Sequence, residues 1–181
     1  MLYVSTLDSY NIPFITRLLP GVPLTVIRLV GRTVGLYTAE GNPSGITGLE
    51  DLARDGLRLA NREKGSGARV LLDELLMELS IDRNRILGYD QEYGNHLSVA
   101  SAIARGDADL GLGAEEAAVQ TAGVNFIPLQ TEWYDLVFLR EREQETTFRL
   151  MVDYLTGGDF QTEVSATGNY DLSQTGMLRH I

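Results

Sequence analysis

Short apolar runs rich in β-branched residues alternate along the chain with segments whose apolar positions recur three and four residues apart, the strand and helix periods in turn. "LYVS" (Leu2 to Ser5) predicts a short strand, and "NIPFITRLL" a helix with Asn11 as its cap, Pro13 in the first turn and Pro20 beyond the end. "PLTVIRLVGRTVGLYTAE" predicts one or two strands broken near Gly31, and "GNPSG" (Gly41 to Gly45) a turn. Thr47 and Glu50 have the spacing of a capping box for a short helix stopped at Gly56. "LRLAN" reads as a buried strand running into "NREKGSGARVLLDELL", a helix whose Leu72, Leu75, Leu76 and Leu79 make a core-facing stripe. "RILGY" predicts a further strand and "HLSVASAIARG" a helix with Leu97, Ala100, Ile103 and Ala104 on one face. "ADLGLG" (strand), "AEEAAVQTAG" (helix), "VNFIPLQ" and "YDLVFLRE" (strands), then "TTFRLMVDYLTGG" and "FQTEVSAT" (helices) complete the chain. This alternation predicts an α/β protein with parallel strands, in which ligands gather at strand carboxyl ends beside helix N-termini.

Composition narrows the class. The 181 residues are 44% hydrophobic and 22% charged, enough for a real core in one domain or two small lobes. The absence of cysteine removes disulfides, thiolate metal clusters and cysteine nucleophiles. A net charge of -10 with no basic run argues against direct nucleic-acid binding. The N-terminal "MLYVSTLDSYN" has neither a basic n-region nor a long apolar core, and no run approaches the roughly 20 apolar residues of a membrane span. The sequence as given therefore predicts no membrane insertion and, lacking an export signal, a cytoplasmic location.

Candidate chemistry centres on "NREKGSGAR" (Asn61 to Arg69), which holds the single lysine of the chain, Lys64. Arg69 in a helix first turn opposes the macrodipole, which favours anions there by about 0.3 to 1 kcal/mol. An anion at that helix start would turn the arrangement into a binding site, drawing on the Ser66 hydroxyl, the N–H groups of Gly67 and Ala68, and the Arg69 guanidinium. The alternative is a flexible turn with Ser66 as an ordinary N-cap and Arg69 solvated. Asn61 and Arg62 end the preceding strand and share the candidacy.

Several motifs are missing. "GSGAR" lacks the lysine and spacing of a phosphate loop, "GLGAEE" is not G-x-G-x-x-G, and neither H-E-x-x-H nor G-x-S-x-G occurs. No cofactor, metal site or catalytic residue is assigned. Glu115 and Glu116 suit a helix first turn without any function, and Tyr93 and Tyr134 need none.

"YNIPFITRLLPG", "GLYTAEGNPSGITGLEDLA", "LANREKGSGARVLLDELL", "HLSVASAIARGDADLGLGAEEAA" and "GNYDLSQTG" together resemble the PBP-like domain family, related to periplasmic molybdate-binding proteins. The resemblance implies a two-lobed type II periplasmic-binding-protein-like α/β fold, with ligand held in an interlobe cleft. It puts lobe I at residues 1–40 plus 135–181 and lobe II at 41–134, with crossover strands at Leu36 to Glu40 and Tyr134 to Arg140. Lobe I of such proteins normally begins with one more strand and helix, so an incomplete first lobe or a longer parent protein is expected, with an exposed apolar edge or a partner such as a second copy in a homodimer.

On this resemblance Ser5, Thr6, Ser9, Tyr10 and Asn11 offer hydroxyls and amides from lobe I, and His96, at a helix start, joins as a hydrogen-bonding residue. The implied function is a solute-binding or sensor module for a small oxyanion, molybdate or tungstate first. Its partners would be a transporter, a fused regulatory domain or a molybdopterin-biosynthesis domain. The alternatives are an enzyme of the same plan acting on a small carboxylate, as prephenate-type dehydratases do, with Ser66 or His96 polarising it, and the effector domain of a transcriptional regulator.

Overall fold

A computed structural model describes residues 2–7, 9–168 and 170–181. In chain order its regular elements are β1 (Tyr3–Val4), β2 (Ser9–Tyr10), α1 (Ile12–Leu18), β3 (Leu24–Ala39), β4 (Leu59–Arg62), α2 (Gly67–Glu78), β5 (Glu92–Tyr93) and α3 (His96–Ala104). These are followed by β6 (Leu110–Ala114), α4 (Glu115–Val119), β7 (Val124–Leu139), α5 (Thr146–Thr156), α6 (Gly158–Thr167), β8 (Tyr170–Asp171) and β9 (Leu178–His180). Among the described residues no helix is long and apolar enough to cross a membrane.

The chain divides into two compact units, the first made of Ser9–Arg32 with Thr131–Ile181 and the second of Leu2–Asp8 with Thr33–Gln130. The sequence reading placed the divisions at 40/41 and 134/135. The contacts place them inside the two long strands β3 and β7, each of which contributes residues to both units. They also assign the N-terminal strand to the second unit, because β1 packs on α2 and both the amide and the hydroxyl of Ser5 donate to Glu74 Oε2, at 3.1 and 3.2 Å.

In the second unit the sheet runs β5-β4-β6-β3-β7. β4 pairs in parallel with β6 (Leu59↔Leu110, Ala60↔Gly111) and with β5 (Asn61↔Glu92, Arg62↔Tyr93), whereas β3 runs antiparallel to β6 (Val34↔Ala114, Leu36↔Leu112). Tyr37, Ala60, Val99, Ala100, Ala102, Ile103, Ala117 and Ala118 form one buried cluster. The many alanines let α3 and α4 lie close to the sheet. α2 buries Ala68, Arg69, Leu71, Leu72 and Leu76. Its buried face is therefore turned by part of a turn from the expected leucine stripe, since Leu79 is the C-cap and 44% exposed. α3 is turned similarly: Val99 and Ala102 are buried with Ala100 and Ile103, while Leu97, at the helix start, is 46% exposed.

In the first unit β3 pairs antiparallel with β8 (Gly31↔Asp171) and with β9 (Thr25↔His180, Ile27↔Leu178). Ile27, Phe148 and Leu155 are its buried centre, with Leu29, Leu136, Phe138, Met151 and Phe160 packed around them and Phe138 edge-on to Phe148.

Three predicted elements differ from the structure. β3 is one continuous strand rather than two broken near Gly31, because that glycine marks a close approach: a Cβ there would stand 2.7 Å from Thr131 Cγ2 and 3.0 Å from the Trp133 ring. β7 likewise merges "VNFIPLQ" and "YDLVFLRE"; it ends the strand order of the second unit, an edge position where Pro128 costs no ladder bond. "RILGY" is not a strand but a 3₁₀ turn at Arg83–Arg85 and a single parallel bridge, Arg58↔Leu87. The chain bends at Gly88 (φ 82°), where a Cβ would meet the Leu59 carbonyl oxygen at 2.3 Å, and β4 finds its partner in β5 instead. The capping box also moves by one: Asp51, not Glu50, accepts from Thr47 N (2.7 Å), Thr47 Oγ1 (3.1 Å) and Gly48 N (3.3 Å).

Gly35 gives a direct test of the β3–β7 packing. A Cβ at this position would lie 2.2 Å from the Ile127 carbonyl oxygen and 2.7 Å from Phe126 Cζ. Backbone cannot swing aside as a side chain can, so Gly35→Ala is expected to destabilise the protein by about 1 to 3 kcal/mol or more. The measurement is a urea unfolding curve, and a midpoint equal to the wild type overturns the packing argument.

Candidate functional site

The parallel strands of the second unit send their carboxyl ends to one edge, and the residues that follow turn back as helices. Arg62 ends β4 and is followed by the α2 start, Tyr93 ends β5 and is followed by the α3 start, and Ala114 ends β6 and is followed by α4. Helix N-termini carry unsatisfied N–H groups and a positive partial charge, so this edge is chemically the anion-seeking side of the unit.

The α2 start is built by "GSG". Gly65 adopts φ 90°, a conformation that side-chain-bearing residues rarely take, and nothing lies within 4 Å of where its Cβ would be. The Ser66 amide then bonds the Glu63 carbonyl (3.2 Å), and the Ser66 hydroxyl accepts from Arg69 N (3.3 Å) and caps the helix. Acceptance leaves the hydroxyl hydrogen free to donate outward. Among the described residues no hydrogen bond uses the amides of Gly67 or Ala68. Two N–H donors and one O–H donor are thus left at one helix start.

The neighbouring cations are committed elsewhere. Arg62 holds Glu63 bidentately (2.8 and 2.7 Å) and donates to the carbonyls of Tyr93 (3.1 Å) and Gly94 (3.3 Å), fastening the end of β4 to the end of β5. Its guanidinium, helped by the His96 ring nearby, holds the Glu63 carboxyl below its ordinary value against the opposing effect of burial. Arg69 is only 4% exposed. Its Nε bonds both carboxylate oxygens of Asp73 (3.0 and 3.1 Å), its guanidinium lies 4.2 Å over the Tyr89 ring, and Tyr89 Oη donates to Asp73 (2.6 Å). Burial pulls the guanidinium pKa down, but the bonds to Tyr89 and Asp73 more than offset it and the net shift is upward. The solvated or anion-seeking Arg69 expected from the sequence is therefore a buried, paired and stacked residue, and no dipole penalty is left uncompensated. Asn61 is equally internal: 2% exposed, its amide nitrogen donates to the Tyr89 carbonyl (2.8 Å) and its oxygen accepts from Arg62 N (2.9 Å).

His96 opens α3, whose cap is Asn95: the Asn95 side chain accepts from Ser98 N (2.8 Å) while Ser98 Oγ accepts from Asn95 N (3.2 Å). The imidazole lies against the end of β6. A Cβ at Gly113 would stand 2.7 Å from His96 Nδ1 and 2.3 Å from the Tyr37 hydroxyl, which donates to the Ala114 carbonyl. Gly113 and Tyr37 were not singled out in the sequence, although a glycine inside a strand is the usual signal of such a close approach.

The remaining candidates separate. Ser5 is tied to Glu74 along α2, beyond its first turn, and Thr6 is exposed in the 3₁₀ turn Ser5–Leu7; both belong to the second unit. Ser9, Tyr10 and Asn11 belong to the first unit. Asn11 precedes α1 with φ 60° and gives no side-chain cap to it; instead its amide donates to the Trp133 carbonyl (3.0 Å) and to Asp135 (2.8 Å). Asp135 also pairs with Arg28 (2.8 Å), whose guanidinium sits 4.8 Å over Trp133; burial raises the Asp135 carboxyl pKa, with Asn11 and Arg28 opposing. The structure thus brings together Ser66, Gly67 and Ala68 at the α2 start and places His96 and Arg62 at neighbouring strand ends, while Asn61 and Arg69 hold the scaffold beneath.

A family model described as the PBP superfamily domain matches residues 2–156. The chain belongs to this family. Its members' fold is a mixed α/β one of type II periplasmic-binding-protein character, consistent with the sheet and helices above. The Bacillus subtilis (strain 168) protein YvgK is 41% identical over 177 residues, covering 98% of this chain but 56% of its own length. A substrate binding domain assigned to a molybdenum ABC transporter of Clostridium difficile has a TM-score of 0.58 at 18% identity, covering 81% of this chain and 66% of the other. The regulatory domain of CcmR from Synechocystis, in complex with 2-PG, has a TM-score of 0.53 at 18% identity, covering 75% and 66%. The chain of this family member therefore spans about half the length of the curated relative, and the distant structures share its fold.

Arg69 carries the test of this arrangement. Arg69→Met keeps the apolar stem and removes the charge, the stack on Tyr89 and the bonds to Asp73. Because Asp73 is partly exposed and can regain water, the expected loss is about 1 to 3 kcal/mol rather than the full cost of stranding a buried charge. Chemical denaturation measures it, and an unchanged or raised stability overturns the structural assignment of Arg69.

Proposed function

We propose that this PBP-family chain is a ligand-binding module for a small oxyanion, held at the α2 start by the amides of Gly67 and Ala68 and the hydroxyl of Ser66. The observation that carries the reading is the pair of N–H groups without a protein acceptor, set at the carboxyl edge of parallel strands beside a hydroxyl free to donate. Helix N-termini of this kind bind sulfate, phosphate and carboxylate readily. His96, at the end of β6, offers a further polar group from α3.

Molybdate or tungstate is the first choice of anion, supported by the structural likeness to the domain assigned to a molybdenum transporter; sulfate and small carboxylates are the competitors. Uncharged donors suit a fully ionised tetraoxoanion, because they satisfy oxygen lone pairs without requiring a countercharge at each one. The reading is one of binding, with the output passed to a transporter or a regulatory partner. The likeness to the CcmR regulatory domain supports the second of these partners.

Gly67→Pro separates the ligand from the scaffold. Proline is well tolerated at the first position of a helix, and Ser66 already has the extended geometry (φ -69°, ψ 148°) that a following proline demands. The substitution deletes one donor and leaves the helix standing. Isothermal titration with molybdate, tungstate and sulfate is expected to show binding by the wild type and an affinity at least about tenfold lower in Gly67→Pro, the loss of one hydrogen bond to a charged group. Binding of equal strength in a folded Gly67→Pro protein overturns the assignment of this helix start.

A further inference from the structure

A cavity of the same unit lies beside the loop between α2 and β5, with a volume of about 510 Å³. It is lined by three cations from three separate stretches: Lys64 from the loop after β4, Arg69 from the first turn of α2, and Arg83 from the 3₁₀ turn. Asp90 is the one carboxylate in the lining. Asn84, Tyr89 and Gln91 complete its polar wall. Neither Ser66, Gly67 nor His96 lines it.

The three cations are not equivalent. Arg69 is held by Asp73 and stacked on Tyr89, with Glu92 at 3.8 Å, so it forms a rigid part of the cavity wall whose charge is already balanced. Lys64 and Arg83 are exposed, and among the described residues neither makes an ion pair or a side-chain hydrogen bond with the protein. Other exposed arginines are paired, Arg54 with Asp51, Arg85 with Asp55 and Arg105 with Asp107, while Arg58 near the cavity is, like Lys64 and Arg83, without an ion pair among the described residues.

We infer that this cavity is a second anion site, distinct from the α2 start, and that it takes a phosphorylated organic molecule of about mononucleotide size. Volume selects the size: small organic ligands occupy pockets of roughly 300 to 1,000 Å³, far more than a lone tetraoxoanion fills. Charge selects the class, because Lys64 and Arg83, both exposed and without an ion-pair partner among the described residues, line one hollow and suit a ligand with several anionic oxygens, and a guanidinium fork suits phosphate. The asparagine and glutamine amides and the tyrosine serve the uncharged part.

Thermal shift and isothermal titration with inorganic pyrophosphate and with ADP test the inference on the full chain. Both probes are expected to bind, ADP at least as tightly as pyrophosphate, with affinity falling as salt rises. Lys64→Ala and Arg83→Ala, each at an exposed residue without a protein partner, are expected to leave the fold intact and to weaken both probes about three- to tenfold apiece. Gly67→Pro is expected to leave pyrophosphate binding in place while weakening molybdate, so that the two sites fail or stand separately. No response to either probe at millimolar concentration, equal binding by the Lys64→Ala, Arg83→Ala double variant, or loss of pyrophosphate binding in Gly67→Pro overturns the second site.

Discussion

Parallel pairing of β4 with β5 and β6 is the constraint from which the rest of the second unit follows. Parallel neighbours cannot be joined by a tight turn, so each connection must cross back through a helix, and each helix must begin where a strand ends. α2 and α3 consequently start at the same sheet edge, and their first amides have no helical acceptor. The alanine-rich faces of α3 and α4 follow from the same geometry, since crossover helices lie flat on the sheet and small side chains set how close they come. Even the bare backbone of Gly113 belongs to this logic. At the end of β6 there is room either for a Cβ or for the Tyr37 hydroxyl and the His96 ring, and the sequence supplies the glycine.

Electrostatics at this edge runs opposite to the usual picture of an anion site. The arginines nearest the α2 start are neutralised locally, Arg62 by Glu63 and Arg69 by Asp73, and their work is to fasten β4 to β5 and to brace α2 from below. Full charges are thereby used for architecture, and the oriented dipoles of amides and a hydroxyl are left facing outward. The proposed anion site therefore needs no basic patch on this acidic chain, because the attraction of such dipoles is local and geometric rather than a long-range field.

Much of this was legible in the sequence, and the exceptions have physical causes. The alternation of periods gave the helices α2, α3, α5 and α6, and "GSG" announced the α2 start because glycine flanking a serine before an apolar stripe has few other uses. Arg69 was misread because periodicity shows which face is buried on average but not that a cation can be carried inside it. Its partners, Asp73 one turn on and Tyr89 twenty residues away, act together only after folding. The continuity of β3 and β7 was hidden by Gly31 and Pro128, which locally look like breaks; one is a close approach and the other an edge position. "RILGY" has the composition of a strand, yet the bend at Gly88 presses it against Leu59 and gives the pairing to Glu92 and Tyr93.

The order of segments along the chain also sets an order in time. The second unit is closed by Gln130, whereas the first needs Thr131–Ile181 to supply β8, β9, α5 and α6 around the half-strand left waiting at Leu24–Arg32. During synthesis, which proceeds from the N-terminus at about 5 to 20 residues per second, the unit carrying the α2 start has its whole sequence before its companion does. The ladder groups of β3 between Leu24 and Arg32 that β8 and β9 will cover must meanwhile stay unpaired. The nascent chain is therefore most open to mispairing in the interval before β8 and β9 emerge.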